Sequence, residues 1–389
     1  MKFLGLNDFQ FNDQRVLLRL DLNAPIKDGA VTNDERLVRS LPTINHVLNN
    51  EGRLIVISHL GRPEENGKLQ PDFSLFPVVN RLEQLLNRSI NLITDVNNIP
   101  SIKAGEMIVL ENVRFLEGEK SNDPDLSKKL ANIADIFVMD AFATSHRAHS
   151  STTGVIEFSE RACAGFLLEE EVSVLSKLTL KGKGDSLAVL GGAKISTKLD
   201  LINSLCDKMD TVILGGGIAN TCLLAQGFSV GRSLVEDSML KEALELSKKS
   251  NLIIPTTVVT AKMQEHEGSV KYIDQVEEDE SIFDIAPESF REHQDLFDAA
   301  GTILWNGPMG LFEENAFSKG TIQIAEMIVS SKGFSVAGGG DTISAASKAG
   351  VLDKLDYVST AGGAFLEFIE GRKLPSLEAL QLKLAKMKS

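Results

Sequence analysis

Residues 53–61 read RLIVISHLG, an apolar run of β-branched and aliphatic residues that ends in polar residues and a glycine. Runs of this form recur along the whole chain, and segments of about 10 to 15 residues with a helical period separate them. Unbroken apolar strands that alternate with helices are typical of parallel sheets covered by helices. The other runs are VLLRLDLN (16–23), EMIVLENVRF (106–115), DIFVMDAF (135–142), LAVLGG (187–192), TVILGGG (211–217), TILWNGP (302–308), FSVAGGG (334–340) and DYVSTAGG (356–363). The pattern predicts an α/β fold.

The length of 389 residues exceeds the size at which a single hydrophobic core usually stops growing. We therefore predict two Rossmann-like lobes, each a doubly wound, mainly parallel sheet. The segment from Gly165 to Leu180 carries leucines and valines at helical spacing, which predicts an interdomain helix beginning near Glu169. The N-lobe is predicted to span 1–168, and the interdomain helix and the C-lobe together to span 169–371.

The composition narrows the class of protein and its partners. Hydrophobic residues make up 43% and charged residues 24%, which is ordinary for a globular chain. The net charge of −14 argues against nucleic acid or an anionic membrane as a partner. The chain has neither a signal-peptide pattern nor an apolar stretch of about 18 residues, so we predict a cytoplasmic protein. Cys163, Cys206 and Cys222 are odd in number and lack metal-type spacing, which predicts reduced, buried thiols.

The charged residues are unevenly spread. Ten of the fourteen arginines precede residue 151. A guanidinium group recognises phosphate and carboxylate through paired hydrogen bonds, so we predict that the first lobe holds a small polyanion. The acidic run from Glu277 to Glu280 is interpreted as a solvated loop without a role in chemistry.

The residues at the predicted strand ends differ between the two lobes. In open α/β sheets, ligands bind outside the carboxyl ends of the strands. In the first lobe these ends carry Asp21 and Asn23, His59 and Arg62, Asn112 and Arg114, and Asp140. In the second lobe they carry the glycines Gly191-Gly192, Gly215 to Gly217, Gly307, Gly338 to Gly340 and Gly362-Gly363. Glycine-rich turns that lead into the N-terminus of a helix are suited to binding phosphate. The sequence lacks the GxxxxGK[ST] pattern and a GxGxxG pattern at the first strand, which argues against a P-loop enzyme or a dinucleotide dehydrogenase.

Taken in order, the motifs resemble those of the phosphoglycerate kinase family over essentially the whole chain. They are RLDLNAP (19–25), DERL (34–37), LPTI (41–44), SHLGRP (58–63), ENVRF (111–115), DAFATSHRAHSS (140–151), GGAKISTK (191–198), GGGIANT (215–221), WNGPMGLFE (305–313), GGGDT (338–342) and STAGGAFLE (359–367). That family transfers a phosphoryl group reversibly from 1,3-bisphosphoglycerate to MgADP, giving 3-phosphoglycerate and MgATP, in glycolysis and gluconeogenesis. The resemblance implies a monomeric phosphotransferase with a carboxyl group as acceptor.

The resemblance also implies which residues form the two substrate sites. The N-lobe site for phosphoglycerate comprises Asp21, Asn23, Arg36, His59, Arg62, Arg114 and Arg147, with His146 and His149 beside it. The C-lobe site for ATP or ADP comprises Gly191, Gly192, Ala193, Lys194, Lys198, Gly215, Gly216, Gly217, Asn306, Glu313, Gly338, Gly339, Gly340, Asp341 and Thr342. Within that set, Glu313 binds the ribose and Asp341 is the Mg²⁺ ligand. The tail 372–389 packs back on the N-lobe.

The implied mechanism is a direct, in-line transfer. Arg36, Lys198, Gly339 and Gly340 neutralise charge on the transferred group, and a hinge closure brings the substrates together. Four positions depart from the usual family pattern, namely Met139, Thr197, Thr257 and Ala361. None of these departures removes Arg36, Lys198 or Asp341.

Two other functions use similar features. A carboxylate kinase of the acetate or aspartate kind would also need an anion site and glycine turns, but it would not need the arginines around SHLGRP. A catalytically silent scaffold on the same fold would need to keep neither Arg36 nor Lys198, and both are present.

Overall fold

A computed structural model of the protein describes residues 2–178, 185–262 and 267–388, with residues 387 and 388 described by their backbone alone. The chain divides into two compact units. The first comprises Met1–Ser173 together with Lys373–Ser389, and the second comprises Val174–Arg372.

The first unit is built on a six-stranded parallel sheet. Its strands lie in the order β5-β6-β4-β1-β7-β8. The two-residue strands β2 and β3 pair only with each other, as a separate antiparallel hairpin. The strands are β1 (Arg15–Leu20), β2 (Ile26–Lys27), β3 (Ala30–Val31), β4 (Arg53–Ile57), β5 (Asn91–Ile93), β6 (Met107–Leu110), β7 (Ile136–Asp140) and β8 (Ala162–Ala164). Because β1 is flanked by β4 and β7, the residues that follow these three strands meet at one edge of the sheet.

Helices cover this sheet on the apolar faces of its strands. They are α1 (Glu35–Asn49), α2 (Phe76–Leu86), α3 (Pro124–Ala131), α4 (Val155–Phe158) and α5 (Phe166–Leu178). The central strands are buried along almost their whole length, which is why their sequences read as unbroken apolar runs. The core contains Leu18, Val56 and Val138 with leucines and valines from α1 and α2.

The second unit repeats this plan. Its six-stranded parallel sheet has the order β11-β10-β9-β15-β16-β17, and a separate three-stranded antiparallel sheet has the order β13-β12-β14. The strands are β9 (Asp185–Leu190), β10 (Thr211–Leu214), β11 (Leu252–Ile253), β12 (Thr257–Lys262), β13 (Ser269–Tyr272), β14 (Glu280–Ile285), β15 (Ala300–Asn306), β16 (Phe334–Gly338) and β17 (Tyr357–Ser359). These two parallel sheets confirm the predicted α/β fold.

The helices of the second unit surround a core centred on the fully buried Trp305. They are α6 (Leu199–Lys208), α7 (Gly216–Ala225), α8 (Leu240–Ser247), α9 (Pro287–Arg291), α10 (Gln294–Ala299), α11 (Lys319–Ser330), α12 (Gly340–Lys348) and α13 (Gly363–Glu370). The chain ends in α14 (Pro375–Lys388). The sheet order changes direction between β9 and β15, and such a switch point is where α/β sheets usually bind ligands.

The antiparallel sheet corrects one prediction from the sequence. Glu280 begins β14 and is only 5% exposed. Its carboxylate accepts a hydrogen bond from Lys271 Nζ, on β13, at 2.8 Å, which offsets the cost of burying the charge. The acidic run is therefore a solvated loop only as far as Asp279. A lysine nine residues upstream neutralises the last carboxylate, and spacing along the chain does not show that pairing.

Helix α5 begins at Phe166, three residues before the predicted start. The backbone N–H of Phe166 donates to Thr43 Oγ1 at 3.1 Å, and that of Leu168 donates to Asp140 Oδ1 at 2.9 Å. These acceptors satisfy N–H groups that the first turn of a helix leaves unpaired. Because both come from distant parts of the sequence, local pattern does not reveal this cap. Of the segment predicted as the interdomain helix, residues 179–180 lie outside the described residues.

Helix α14 lies within the first unit. The backbone N–H of Ser376 donates to Ser145 O at 3.2 Å, and Lys383 Nζ donates to Ser159 O at 2.5 Å. Leu377 and Leu380 are buried.

The three cysteines are free and buried, which confirms the prediction of buried thiols. Within the described ranges, no helix is both long and apolar enough to cross a membrane.

Candidate active site

The predicted anion site of the first unit centres on the carboxylate of Asp21, directly after β1. Arg36 Nη1 donates a short hydrogen bond to Asp21 Oδ2, and His59 Nδ1 lies 3.8 Å from Asp21 Oδ1. Burial lowers the pKa of the His59 imidazole well below its usual value, and Arg19, Arg114, Arg147 and Arg36 lower it further. A neutral imidazole is therefore favoured, and the positive charge here comes from guanidinium groups.

The arginines of this site also act on one another electrostatically. Burial lowers the pKa of Arg114, and Arg147 and Arg62 lower it further, while Glu119 and Asp21 act in the opposite direction. Arg114 is 5% exposed, and its Nη1 donates to Gly61 O at 2.6 Å. More guanidinium groups than carboxylates face this site, so a multiply charged anion would complete it.

Two asparagines fix the loops that carry these charges. Asn112 Nδ2 donates to Leu60 O at 2.8 Å, and Asn112 Oδ1 accepts from Arg114 N at 3.1 Å. Asn23 Oδ1 accepts from Gly61 N at 2.9 Å. The SHLGRP and ENVRF loops are thus held together by side-chain amides, which keeps the charged groups in place before any ligand arrives.

Sequence reasoning missed a buried network behind this site. Arg19, on β1, is 1% exposed and its Nε donates to Ser151 Oγ at 3.2 Å. Ser151 in turn donates through its Oγ to Glu119 Oε1 at 2.6 Å. Burial raises the pKa of Glu119, while Ser151 and Arg19 act against that rise. The signal in the sequence is the arginine enclosed by apolar residues in VLLRL (16–20), since a buried arginine needs a partner.

Ser151 belongs to a π-helical turn, Ser150–Gly154, that leads into α4. Such turns are often found at functional sites. His149 precedes the turn, and its Nδ1 lies 3.8 Å from Glu119 Oε1. Burial lowers its pKa to about 4, with Arg114, Arg19 and Arg147 contributing. Arg147 Nε donates to His146 Nε2 at 3.0 Å, so this histidine is in direct contact with one of the arginines.

The second unit brings three glycine turns into direct contact. A Cβ atom added to Gly191 would lie 1.8 Å from Pro308 O, and one added to Gly217 would lie 2.3 Å from Ala193 O. Gly216 has a φ of +64° and its N–H donates to Met309 O at 2.8 Å. The turns after β9, β10 and β15 can pack this closely only because glycine stands at the contacts.

Lys198 lies beneath two of these turns. Its Nζ donates to Gly191 O at 2.6 Å and to Asn306 O at 3.1 Å. Burial lowers the pKa of the Lys198 ammonium to about 8, and the nearby carboxylate of Asp341 counteracts that shift. Lys194, by contrast, is exposed on the loop before it, and its carbonyl oxygen accepts from Thr197 Oγ1 at 2.9 Å.

The turn after β16 joins this group through Asn306 and Thr342. Asn306 Nδ2 donates to Gly338 O at 2.6 Å, and Thr342 Oγ1 accepts from Gly307 N at 2.7 Å. Gly339, with a φ of +98°, precedes α12, so the first N–H groups of that helix open beside the turn. The helix terminus suits a phosphate group.

Asp341 stands in the first turn of α12 with its carboxylate exposed. Across the described residues, no group of three or more His, Cys, Asp or Glu side chains is arranged to hold a metal ion. Mg²⁺ commonly takes one or two protein carboxylates and completes its shell with phosphate oxygens and water. A single carboxylate beside a phosphate-binding turn fits that ion.

A cavity of about 550 Å³ opens beside these turns, a size typical of small-molecule sites. Of the predicted nucleotide residues, its lining includes Gly192, Ala193, Gly216, Gly217, Glu313 and Asp341. Lys194, Lys198 and Asn306 lie outside that lining, as do Gly191, Gly215, Gly338, Gly339, Gly340 and Thr342. Apolar residues from β14 and from the loop after β15 form much of the wall, including Ile282, Phe283, Met309 and Leu311.

The model of the phosphoglycerate kinase family matches residues 6–372. The chain belongs to the phosphoglycerate kinase family. It is 46% identical to a phosphoglycerate kinase of Francisella tularensis subsp. novicida over 98% of this chain and 99% of that one. It is also 46% identical to a phosphoglycerate kinase of Coxiella burnetii over 96% of this chain and 97% of that one.

Solved structures show the same relationship. The phosphoglycerate kinase structure from Coxiella burnetii matches with a TM-score of 0.94 and 45% identity, over 98% of this chain and all of that chain. The phosphoglycerate kinase structure from Pyrococcus horikoshii matches with a TM-score of 0.83 and 31% identity, over the same shares of the two chains. The chain is therefore a kinase of this family, acting on phosphoglycerate and a nucleotide.

Two departures from the phosphoglycerate kinase pattern have local explanations. Ala361 stands where the family usually has glycine, but its backbone does not adopt a positive φ, which falls on Gly362 (φ +55°). The extra methyl group is therefore tolerated. Met139 is buried on β7, between Val138 and the Asp140 that caps α5.

Proposed function

We propose that the chain transfers a phosphoryl group reversibly between 1,3-bisphosphoglycerate and MgADP, with the phosphoglycerate held by the first unit and the nucleotide by the second. The observation that carries the proposal is the arginine cluster around Asp21 and His59. A phosphorylated carboxylic acid has a charged group at each end, and this cluster supplies guanidinium groups for both. Acetate and aspartate lack the distal phosphate, so either would leave part of the positive charge of the arginine cluster without a counter-charge.

The roles of individual residues follow from charge and position. Arg62, Arg114 and Arg147 bind the distal phosphate, while Arg36 acts at the acyl phosphate. Lys198 and the N–H groups at Gly339 and Gly340 stabilise charge on the transferred group. Mg²⁺ held by Asp341 would neutralise charge on the nucleotide phosphates when bound. No nucleophilic side chain is required because the phosphoryl group passes directly between the substrates.

The proposal requires a closure step, because one set of ligands belongs to each unit. In-line transfer needs reacting atoms within about 3 to 3.5 Å, and water at the acyl phosphate would cause hydrolysis. We propose that the interdomain helix and the chain near Gly371 act as hinges. Each substrate alone contacts one unit. Only the two substrates together therefore bind the closed form more tightly than the open form and shift the population to it.

The free cysteines support a cytoplasmic location, and we propose that the protein is a monomer.

Calorimetric titration tests this division of the substrates. Arg114→Met should abolish measurable 3-phosphoglycerate binding and leave MgADP binding unchanged. Arg88→Met is the matched control, since Arg88 is exposed and its Nη1 donates to Gly105 O at 3.0 Å, away from the anion site. Loss of MgADP binding in a folded Arg114→Met protein would contradict the assignment.

A further inference from the structure

The cavity of the second unit holds a polar atom that the protein leaves unpaired. Asn220, on α7, lines the cavity and is 3% exposed. Its Oδ1 is buried and accepts no hydrogen bond from any residue in the described part of the chain. A buried carbonyl oxygen without a donor costs about 1–3 kcal/mol. Such an atom on the wall of a cavity is available to a ligand.

Neighbouring polar side chains do not share this property. Thr221 Oγ1 donates to Gly217 O at 2.8 Å and accepts from Glu236 N at 3.2 Å. Asp284, which also lines the cavity, accepts from Gly320 N at 2.7 Å. Asn306 Oδ1 is also unpaired, but Asn306 does not line the cavity, whereas Asn220 does.

The position of Asn220 on α7 separates it from the phosphate turns. Gly216, Gly217 and Asn220 lie on one face of the helix, since residues three and four apart are neighbours there. The two glycines pack against the turn after β9, so Asn220 lies about one helical turn, roughly 5 Å, further along the cavity. Ile282 and Phe283 line the same cavity and offer apolar surface to a planar ring.

We propose that Asn220 reads the nucleobase, its Oδ1 accepting a hydrogen bond from an exocyclic amino group such as the 6-amino group of adenine. The inference rests on the proposed nucleotide site in this cavity. A purine that carries hydrogen instead of the 6-amino group offers neither a donor nor an acceptor at that place and leaves Asn220 Oδ1 unpaired. A site built around a polar partner rejects analogues that lack it, so Asn220 makes the site selective for adenine nucleotides.

Steady-state kinetics with MgATP and with Mg²⁺ and purine riboside triphosphate, which lacks the 6-amino group, tests this role at saturating 3-phosphoglycerate. The wild-type protein should prefer ATP. Asn220→Leu keeps the size of the side chain and removes the acceptor, so the ratio of kcat/KM for ATP to that for purine riboside triphosphate should fall by about tenfold, as for one lost hydrogen bond. The loss should appear in KM for ATP, with kcat changed by less than about twofold.

A residue that only supports α7 would lower kcat/KM for both nucleotides alike, so an unchanged ratio would overturn the proposal. If Asn220→Leu does not fold, the wild-type protein alone decides the question, because equal KM values for purine riboside triphosphate and ATP would also overturn the proposal. Failure of the wild-type protein to bind either nucleotide would instead contradict the nucleotide site itself.

Discussion

The ammonium group of Lys198 donates a hydrogen bond to the carbonyl oxygen of Gly191 over 2.6 Å. Gly191 follows β9 and Asn306, the second acceptor of Lys198, ends β15, so the lysine joins the two strands at which the sheet order reverses. A cation is thereby held at the edge where ligands of α/β sheets bind. We infer that Lys198 leaves these carbonyl groups for the transferred phosphoryl group during turnover.

Lys198→Ala should lower kcat by about 10²-fold or more, because the lysine stabilises charge that develops in the transition state. The affinity for 3-phosphoglycerate should change little, since the lysine belongs to the nucleotide unit. Steady-state kinetics and calorimetry measure the two quantities. Lys241→Ala, at an exposed position of α8, serves as the control. Loss of 3-phosphoglycerate binding in folded Lys198→Ala would show that the assignment of the lysine is wrong.

Arg36→Ala should lower kcat by about 10³-fold, comparable to removing an arginine that stabilises a transferring phosphoryl group. The hydrogen bond to Asp21 holds the guanidinium of Arg36 at the anion site. Circular dichroism should show an intact fold, because Arg36 lies at the surface end of α1, where its side chain is 30% exposed. Near wild-type turnover in that folded variant would refute its catalytic role, and Arg88→Ala again provides the comparison.

Gly191→Ala should destabilise the second unit and abolish nucleotide binding. Its Cβ would lie 1.8 Å from Pro308 O, so the turns after β9 and β15 would have to separate. Gly227→Ala is the matched control: Gly227 has a φ of +95°, but a Cβ there would have no neighbour within 4 Å. It should cost only the backbone strain of about 1–2 kcal/mol. Thermal unfolding with and without MgADP compares the two, and equal melting temperatures would contradict the packing argument.

Asp140→Asn should change how stability depends on pH. Burial raises the pKa of Asp140 to about 6, above the usual value of 3.8. Between these values the folded protein keeps a proton that the unfolded chain has lost, so this group's contribution falls as pH rises from about 4 to 6, by on the order of 3 kcal/mol.

Asparagine does not titrate, and its amide oxygen can still accept from the N–H of Leu168. Relative to wild type, Asp140→Asn should therefore be more stable at pH 7.5 than at pH 4.5. Asp125→Asn, at a side chain that is 96% exposed, should show no such change. Parallel melting-temperature profiles for wild type and Asp140→Asn would exclude a raised pKa at Asp140.

The sequence was enough to predict the parallel sheets, since buried strands must read as unbroken apolar runs and their ends must carry the polar residues. It was not enough to predict the partners of Arg19 and Asp140. Those contacts join residues far apart in the chain, such as Arg19 and Ser151, and depend on which loops the sheet order brings together. The unpaired amide of Asn220 also appears only when the cavity around it is known.

A coupled assay of ATP consumption by the purified protein tests most directly whether this chain phosphorylates 3-phosphoglycerate. We expect ATP consumption that requires both 3-phosphoglycerate and Mg²⁺ and that acetate or aspartate cannot support. ATP consumption without 3-phosphoglycerate, equal rates with acetate, or no consumption by the folded protein would contradict it.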